Sequence, residues 1–328
     1  MRTRVTKVIW RDAPNPWLTL GAVMVVLWIV AGCVRPPPRP PPPIPEEPVS
    51  AETVIERYNA NADRMPSDVL FRSYLSAEAG FIDEDDKIHH FDGSGRLDFV
   101  KPTYLYLGIE HGLGGNMLEI GSDGKRYWLY YRQSKKVWWG KFEHLDRAEA
   151  RDMLIRPERV IAALGLTRLP VGSGRLFGPC FLVPDRLIQH TLHPQYMLSY
   201  YWQAEGQTPR LERQYSISRA SPFLAERIVF GDKHGRMGCV ATLAHLGPIG
   251  VRKKVIEGPA PIMPHRIYLR LANERNYLSL KLNRPRLDRI PSGLRPPKWK
   301  KMPYADSKPP ADWEIIQIDE AYDREPGR

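Results

Sequence analysis

Asp83, Glu84, Asp85 and Asp86 stand just ahead of His89 and His90, and carboxylates beside imidazoles are the residue types that hold a cation. The run lacks the alternating ligand offsets and the glycine bend of a calcium loop, so it reads as a solvated acidic hairpin. Gly172-Ser173-Gly174 lacks the spacing of a phosphate-cradling dinucleotide loop. No G-x-S-x-G, no nucleotide-binding G-x-x-x-x-G-K-[ST] and no H-E-x-x-H is present. No nucleophile–base pair is readable, so the expectation is a protein that is not an enzyme, with no cofactor and no metal. Two of the three cysteines, Cys180 and Cys239, are a candidate disulfide if the chain is exported, with two buried free thiols as the alternative.

The third cysteine, Cys33, has a different setting. Arg2, Arg4, Lys7 and Arg11 precede an uncharged run from Leu18 to Val30, which ends in Ala31-Gly32-Cys33. This is the layout of a secretory signal. It also resembles the bacterial lipobox, in which the cysteine becomes the new N-terminus and carries acyl chains. The other reading is an uncleaved membrane helix, since Trp17 to Val34 is 18 uncharged residues long. By the usual sorting rule for such lipoproteins, Val34 in place of Asp favours the outer membrane. Residues 1–32 are thus read as a lipoprotein signal peptide, and Cys33 as the lipidation site. Without them the chain keeps 44 basic and 36 acidic residues, a net +8, a mild field suited to anionic lipid or cell-wall polymer, or simply to solubility.

Residues 33–50 form a tether with nine prolines between Val34 and Ser50. Such a segment favours polyproline II and reaches roughly 50 Å. Ser50 caps a predicted helix to about residue 64, with Val54, Ile55, Tyr58 and Ala62 on one side. The period then changes to two. Strands are expected over 69–77, 95–100, 103–110, 116–121, 125–131 and 136–142, then over 196–203, 210–217, 224–230, 236–245, 265–271 and 277–282. A helical pair is expected at 146–165, and residues 167–195 read as a long loop. Between Arg284 and Lys308 there are eight basic residues against two acids, so 284–328 reads as a basic, Pro-rich tail, with a short strand at 313–318.

Several strands are apolar on both faces. Tyr104, Leu105, Tyr106 and Leu107 are consecutive, as are Tyr127 to Tyr131, and Trp138 adjoins Trp139. An ordinary antiparallel strand has one polar face. The second apolar face therefore needs a cover, which is a sandwich core, a partner, a lid or lipid. An internal cavity lined by Tyr104, Tyr106, Trp128 and Tyr130 would speak for lipid.

These strands carry a resemblance. Arg96-Leu97-Asp98-Phe99-Val100-Lys101-Pro102, then Met117 to Ile120, Ser122-Asp123-Gly124-Lys125 and Tyr127 to Tyr130, followed by Pro157 to Leu166, look like the LolA/LolB-type lipoprotein carriers. The resemblance covers 51–283. It implies a mainly β (α+β) fold, an unclosed curved antiparallel β-barrel of about eleven strands with helices plugging the concave side. It implies binding of acylated cargo in a hydrophobic cavity. The two-faced strands and the hairpin at Asp123-Gly124 make Leu105, Leu107, Met117, Tyr127, Leu129 and Trp138 the candidate lining, with the strand face that points inward left open. Leu113, alone between glycines, matches the exposed membrane-contact Leu of the lipid-anchored receptor type. The expected partners are membrane lipid through acylated Cys33, acylated cargo (a lipoprotein or a lipid), and cell-wall polymer or a periplasmic carrier; no nucleic acid is expected. The alternative is an envelope interaction or stress-sensing protein that bridges membrane and cell wall without lipid transfer.

Overall fold

The computed structural model describes residues 48–82, 86–112, 116–144, 153, 155–172, 174–183, 195–203, 206–232, 234–252, 255–272, 275–290 and 314–317. The Ser50 hydroxyl accepts the Thr53 amide proton at 3.3 Å and so caps the first helix, α1 (Ala51–Asp63). Val54, Tyr58, Asn61 and Ala62 recur at helical spacing and are its buried side. The second helix, α2 (Pro157–Ala163), starts on Pro157 and is followed by Gly165 at φ +67, as the sequence predicts. The expected partner helix before it falls largely on residues outside those described.

The first six strands form a meander: β1 (Val69–Ile82), β2 (Ile88–Val100), β3 (Tyr104–Glu110), β4 (Asn116–Asp123), β5 (Arg126–Tyr131) and β6 (Lys136–Lys141). The turn between β4 and β5 is built by Asp123, whose Oδ1 accepts the amide protons of Lys125 and Arg126 at 2.9 and 2.6 Å. Gly124 sits there at φ +86, a conformation an L side chain resists. After α2 come β7 (Leu176–Leu182), β8 (Gln195–Trp202), β9 (Arg210–Ser218), β10 (Ala225–Gly231), β11 (Met237–Pro248), β12 (Gly250–Val251), β13 (Ile262–Leu271), β14 (Tyr277–Arg289) and β15 (Glu314–Gln317).

Among the described residues the sheet has fifteen strands, in the order β15-β6-β5-β4-β3-β2-β1-β14-β13-β11-β10-β9-β8-β7, with β12 beside β14. Its end strands β15 and β7 do not pair with one another, so the sheet is unclosed. Pairing is antiparallel throughout except β15 on β6 and β12 on β14. β14 lies between β1 and β13 and joins the two meanders. One continuous apolar core includes Val54 and Tyr58 of α1, Val160 and Ile161 of α2, and residues from both meanders.

Three expectations are corrected. The eleven strands become fifteen. The 167–195 segment is not all loop, because β7 lies inside it. Pro179 and a register slip between Phe177 and Cys180 break its alternation, and an edge strand tolerates both. Residues 284–289 are not tail, since β14 continues to Arg289. The short strand expected at 313–318 is β15, added to the β6 edge.

Candidate ligand-binding face beneath the helices

The pleat decides which side chains share a face. Across the first meander Leu97, Leu107, Ile120, Leu129 and Trp138 are successive partners, so they form one row on one side. The neighbouring row on that side runs Phe71, Phe99, Leu105, Ser122 and Tyr127. Leu105, Leu107, Tyr127, Leu129 and Trp138 are all buried in the common core, and Met117 packs half-buried against it. The six expected lining residues therefore meet in one apolar cluster beneath the helices. Leu107, Tyr127 and Leu129 have no accessible surface, so no water-sized space borders them. In this conformation their surroundings are filled core.

Tyr104, Tyr106, Trp128 and Tyr130, the four residues expected to line a cavity, point the other way, with Arg72, Asp98, Arg96 and Glu119, so they do not border the core beneath the helices. On that outer face Asp98, only 1% exposed, accepts from Arg72 Nε and Nη2 at 2.8 and 3.0 Å. Glu119 accepts from Trp128 Nε1 at 3.1 Å and from Tyr106 Oη at 3.4 Å. The second aromatic face thus covers two buried acids and pairs them, as buried charges require. This answers the puzzle of the two-faced strands in this half of the sheet.

The rim of α1 is held by polar contacts. Asn61 donates through Nδ2 to the Ile262 carbonyl at 2.9 Å and accepts the Ile262 amide proton through Oδ1 at 2.8 Å. Asn59 accepts from the Leu169 amide at 2.9 Å. Lys101 Nζ donates to the Ala62 carbonyl at 2.6 Å, near the negative end of the helix. Arg168 grips Asp63 with Nε and Nη2 at 2.8 and 2.7 Å. None of these clamps was read from the sequence. The available signal was Asn61, a polar residue on the apolar stripe of Tyr58 and Ala62.

Hydrogen bonding to Arg168 holds the Asp63 carboxyl below its ordinary range. A depressed folded value means that the contact stabilises above the unfolded carboxylate pKa, ~3.9, and is lost as pH falls through the lower folded value. The gap in thermal midpoint between the native chain and Arg168→Ala is expected to be largest near neutral pH and to shrink below about pH 4. A gap that does not change with pH would remove the ion pair as its source.

Inside the core, Trp138 Nε1 and Tyr200 Oη are buried with no hydrogen-bond partner among the described residues. Burial is also the main cause that pushes the Tyr200 hydroxyl upward, which keeps it a neutral donor. Orphaned buried donors are uncommon and call for an acceptor.

The disulfide expectation is overturned. Cys180 is exposed on β7 and Cys239 is buried on β11, and both are free. Three strands separate β7 from β11 in the sheet, roughly 15–20 Å at ordinary strand spacing, against a Cα limit of about 7 Å for a bridge. Cys239 instead lies against Arg159, and burial pushes its thiol upward. Cys33, Leu113 and the acidic residues 83–85 lie outside the described residues. Among the described residues no group of His, Cys, Asp and Glu could hold a metal. No described helix is long and apolar enough to cross a membrane.

Solved structures similar to this chain include the following three. One is a LolA superfamily protein from Nitrosomonas europaea, at 13% identity and TM-score 0.43, covering 75% of this chain and 97% of that one. Another is a putative outer membrane lipoprotein-sorting protein domain from Vibrio parahaemolyticus, at 11% identity and TM-score 0.43, covering 73% and 94%. The third is a DUF1329 family protein from Desulfovibrio piger, at 10% identity and TM-score 0.44, covering 74% and 95%. No family model and no curated protein matches the chain.

Proposed function

We propose that the chain is a lipid-anchored protein of the bacterial envelope that takes up acylated cargo, a lipoprotein or a lipid, against the apolar face beneath α1 and α2. The observation that carries this reading is that face itself: a wide apolar sheet surface whose lid is two short helices, one held largely at its rim by polar clamps. An acyl chain contributes roughly 0.8 kcal/mol per buried CH₂, enough over a dozen carbons to replace the packing of a displaced helix. The orphaned Trp138 and Tyr200 donors suit an ester or amide carbonyl at the head of such a chain. In this reading residues 1–32 are removed, Cys33 carries the acyl anchor, and 33–50 hold the domain clear of the outer membrane on its periplasmic side. Leu113 is the membrane contact, and a periplasmic carrier or cell-wall polymer is a further partner. The activity is binding and hand-over without catalysis.

Asn61→Ala tests the lid. It leaves the Ile262 amide and carbonyl unpaired, at a cost of about 1–3 kcal/mol. The native chain should take up a fluorescent fatty acid saturably, and Asn61→Ala should take it up several-fold faster. Absence of saturable uptake in both chains sinks the carrier reading and leaves the bridging role as the better account. Equal rates in the two chains exclude α1 as the lid.

A further inference from the structure

The last strand carries a feature that the acyl-binding reading does not use. Leu278, Leu280 and Leu282 of β14 face the core. Continued alternation would send Arg284, Arg286 and Asp288 inward, where unpaired charge is prohibitive. The register slips instead. Arg72 pairs with Arg286 but Tyr74 pairs with Asn283, so Ser73 faces two residues, and Arg284 sits at φ +53. This bulge returns Leu287 to the core and turns Arg286 and Asp288 to the outer face beside Arg72.

The result is a pocket of about 580 Å³ on the face opposite the apolar core, between β1, β14 and the segment that follows β12. Arg72, Arg252, Arg286 and Arg289 line it, with Asp288 as its acid and Leu70 and Val255 as apolar wall. Arg72 and Arg286 are direct cross-strand partners, a like-charge pairing that is ordinarily unfavourable. Each leans on an acid: Arg72 on Asp98, and Arg286 Nε on Asp288 Oδ2 at 2.9 Å. Arg252 and Arg289 are exposed and make no ion pair among the described residues. Four guanidinium groups therefore converge on one concavity against two carboxylates.

We propose that this pocket binds the phosphate group of a small phosphate ester. Guanidinium forks match the oxygens of a tetrahedral phosphate and hold them bidentately. Two of the four are uncommitted, and the volume exceeds that of a bare phosphate. The organic part of the ester has Leu70 and Val255 to rest on. A soluble phosphate ester and a phospholipid headgroup present the same group, so the source is a matter for the test. Because the pocket and the acyl face lie on opposite sides of the sheet, this inference stands whether or not the chain binds acyl cargo.

The test is titration calorimetry on the full-length chain with inorganic phosphate, glycerol 3-phosphate, soluble dihexanoyl phosphatidylglycerol and acetate. At least one phosphate-bearing probe should bind more tightly than about millimolar, and acetate should not. Binding of the soluble esters identifies a soluble ligand, whereas binding of the lipid alone identifies a headgroup. The double variant Arg252→Gln with Arg289→Gln should weaken binding about ten-fold or more, with an unchanged unfolding midpoint because both side chains are exposed. Asp288→Asn should tighten binding by releasing Arg286. The proposal is overturned if no phosphate probe binds, if acetate binds as well, if the double variant binds like the native chain, or if Asp288→Asn weakens binding.

Discussion

Leu129→Ala is expected to lower the unfolding free energy by about 3 kcal/mol, within the range of about 2–5 for a filled site. Leu129 is fully buried, with Ile120 and Trp138 as its partners on the adjoining strands. Truncation there loses the transfer energy of the removed carbons and leaves a void, because rows on both sides of Leu129 hold the sheet in place. A side chain that bordered an open, wetted cavity would leave no new void and would lose only part of that transfer energy, about 1 kcal/mol. Urea unfolding with an unchanged denaturant slope reads the difference. The same experiment bears on function. A fatty acid that binds only the folded chain adds about 2.7 kcal/mol at a hundred times its dissociation constant. Leu129→Ala should gain at least as much as the native chain, since the void accepts part of the ligand. A loss below about 1 kcal/mol would mean that the face is open rather than filled. No ligand-induced gain in either chain would remove acyl binding.

What the sequence made legible was local. The Ser50 cap, the 54–58–62 stripe, the Asp123-Gly124 turn and the alternation of Leu278, Leu280 and Leu282 are signals that depend on neighbours within a few residues, and each held. The faces of β3 and β5 were not legible, because Tyr106 is as bulky as Leu107 and Trp128 as Leu129. Period-two alternation cannot choose between two large rows. Only the pairing of Asp98 with Arg72, and of Glu119 with Trp128, shows which row faces outward.

Strand order was hidden for a different reason. β14 pairs with β1 across about two hundred residues, and no local pattern announces that neighbour. Cys180 and Cys239 were a candidate pair on the expectation of export, beside the alternative of two free thiols, and the sheet puts β8, β9 and β10 between their strands. The end of β14 was misread for its composition. Arg284, Pro285 and Arg286 look like the start of a basic tail, yet the bulge lets exactly those residue types continue a strand, with Pro285 buried and Arg286 turned outward. Three residues of the arginine pocket, Arg286, Asp288 and Arg289, come from this end of β14.

Cys33→Ser is expected to move the chain from the membrane fraction to the soluble fraction almost completely. The prediction rests on Ala31-Gly32-Cys33 at the end of the apolar run. One acyl chain gives marginal, reversible binding, whereas two or three hold a protein durably, at roughly 0.8 kcal/mol per buried CH₂. The residue precedes the folded sheet, so the substitution should leave the unfolding midpoint where it was. The comparison is made on chains exported and cleaved before residue 33, because an uncleaved signal would itself hold the variant in the bilayer. Intact mass supplies the second readout. A lipoprotein starts at Cys33 and is heavier than its sequence by its acyl groups, while a chain anchored by an uncleaved helix retains Met1 and carries no added mass. Persistence of the cleaved Cys33→Ser chain in the membrane fraction, or a native mass that includes residues 1–32, would take the anchor away from Cys33 and return it to the apolar run itself.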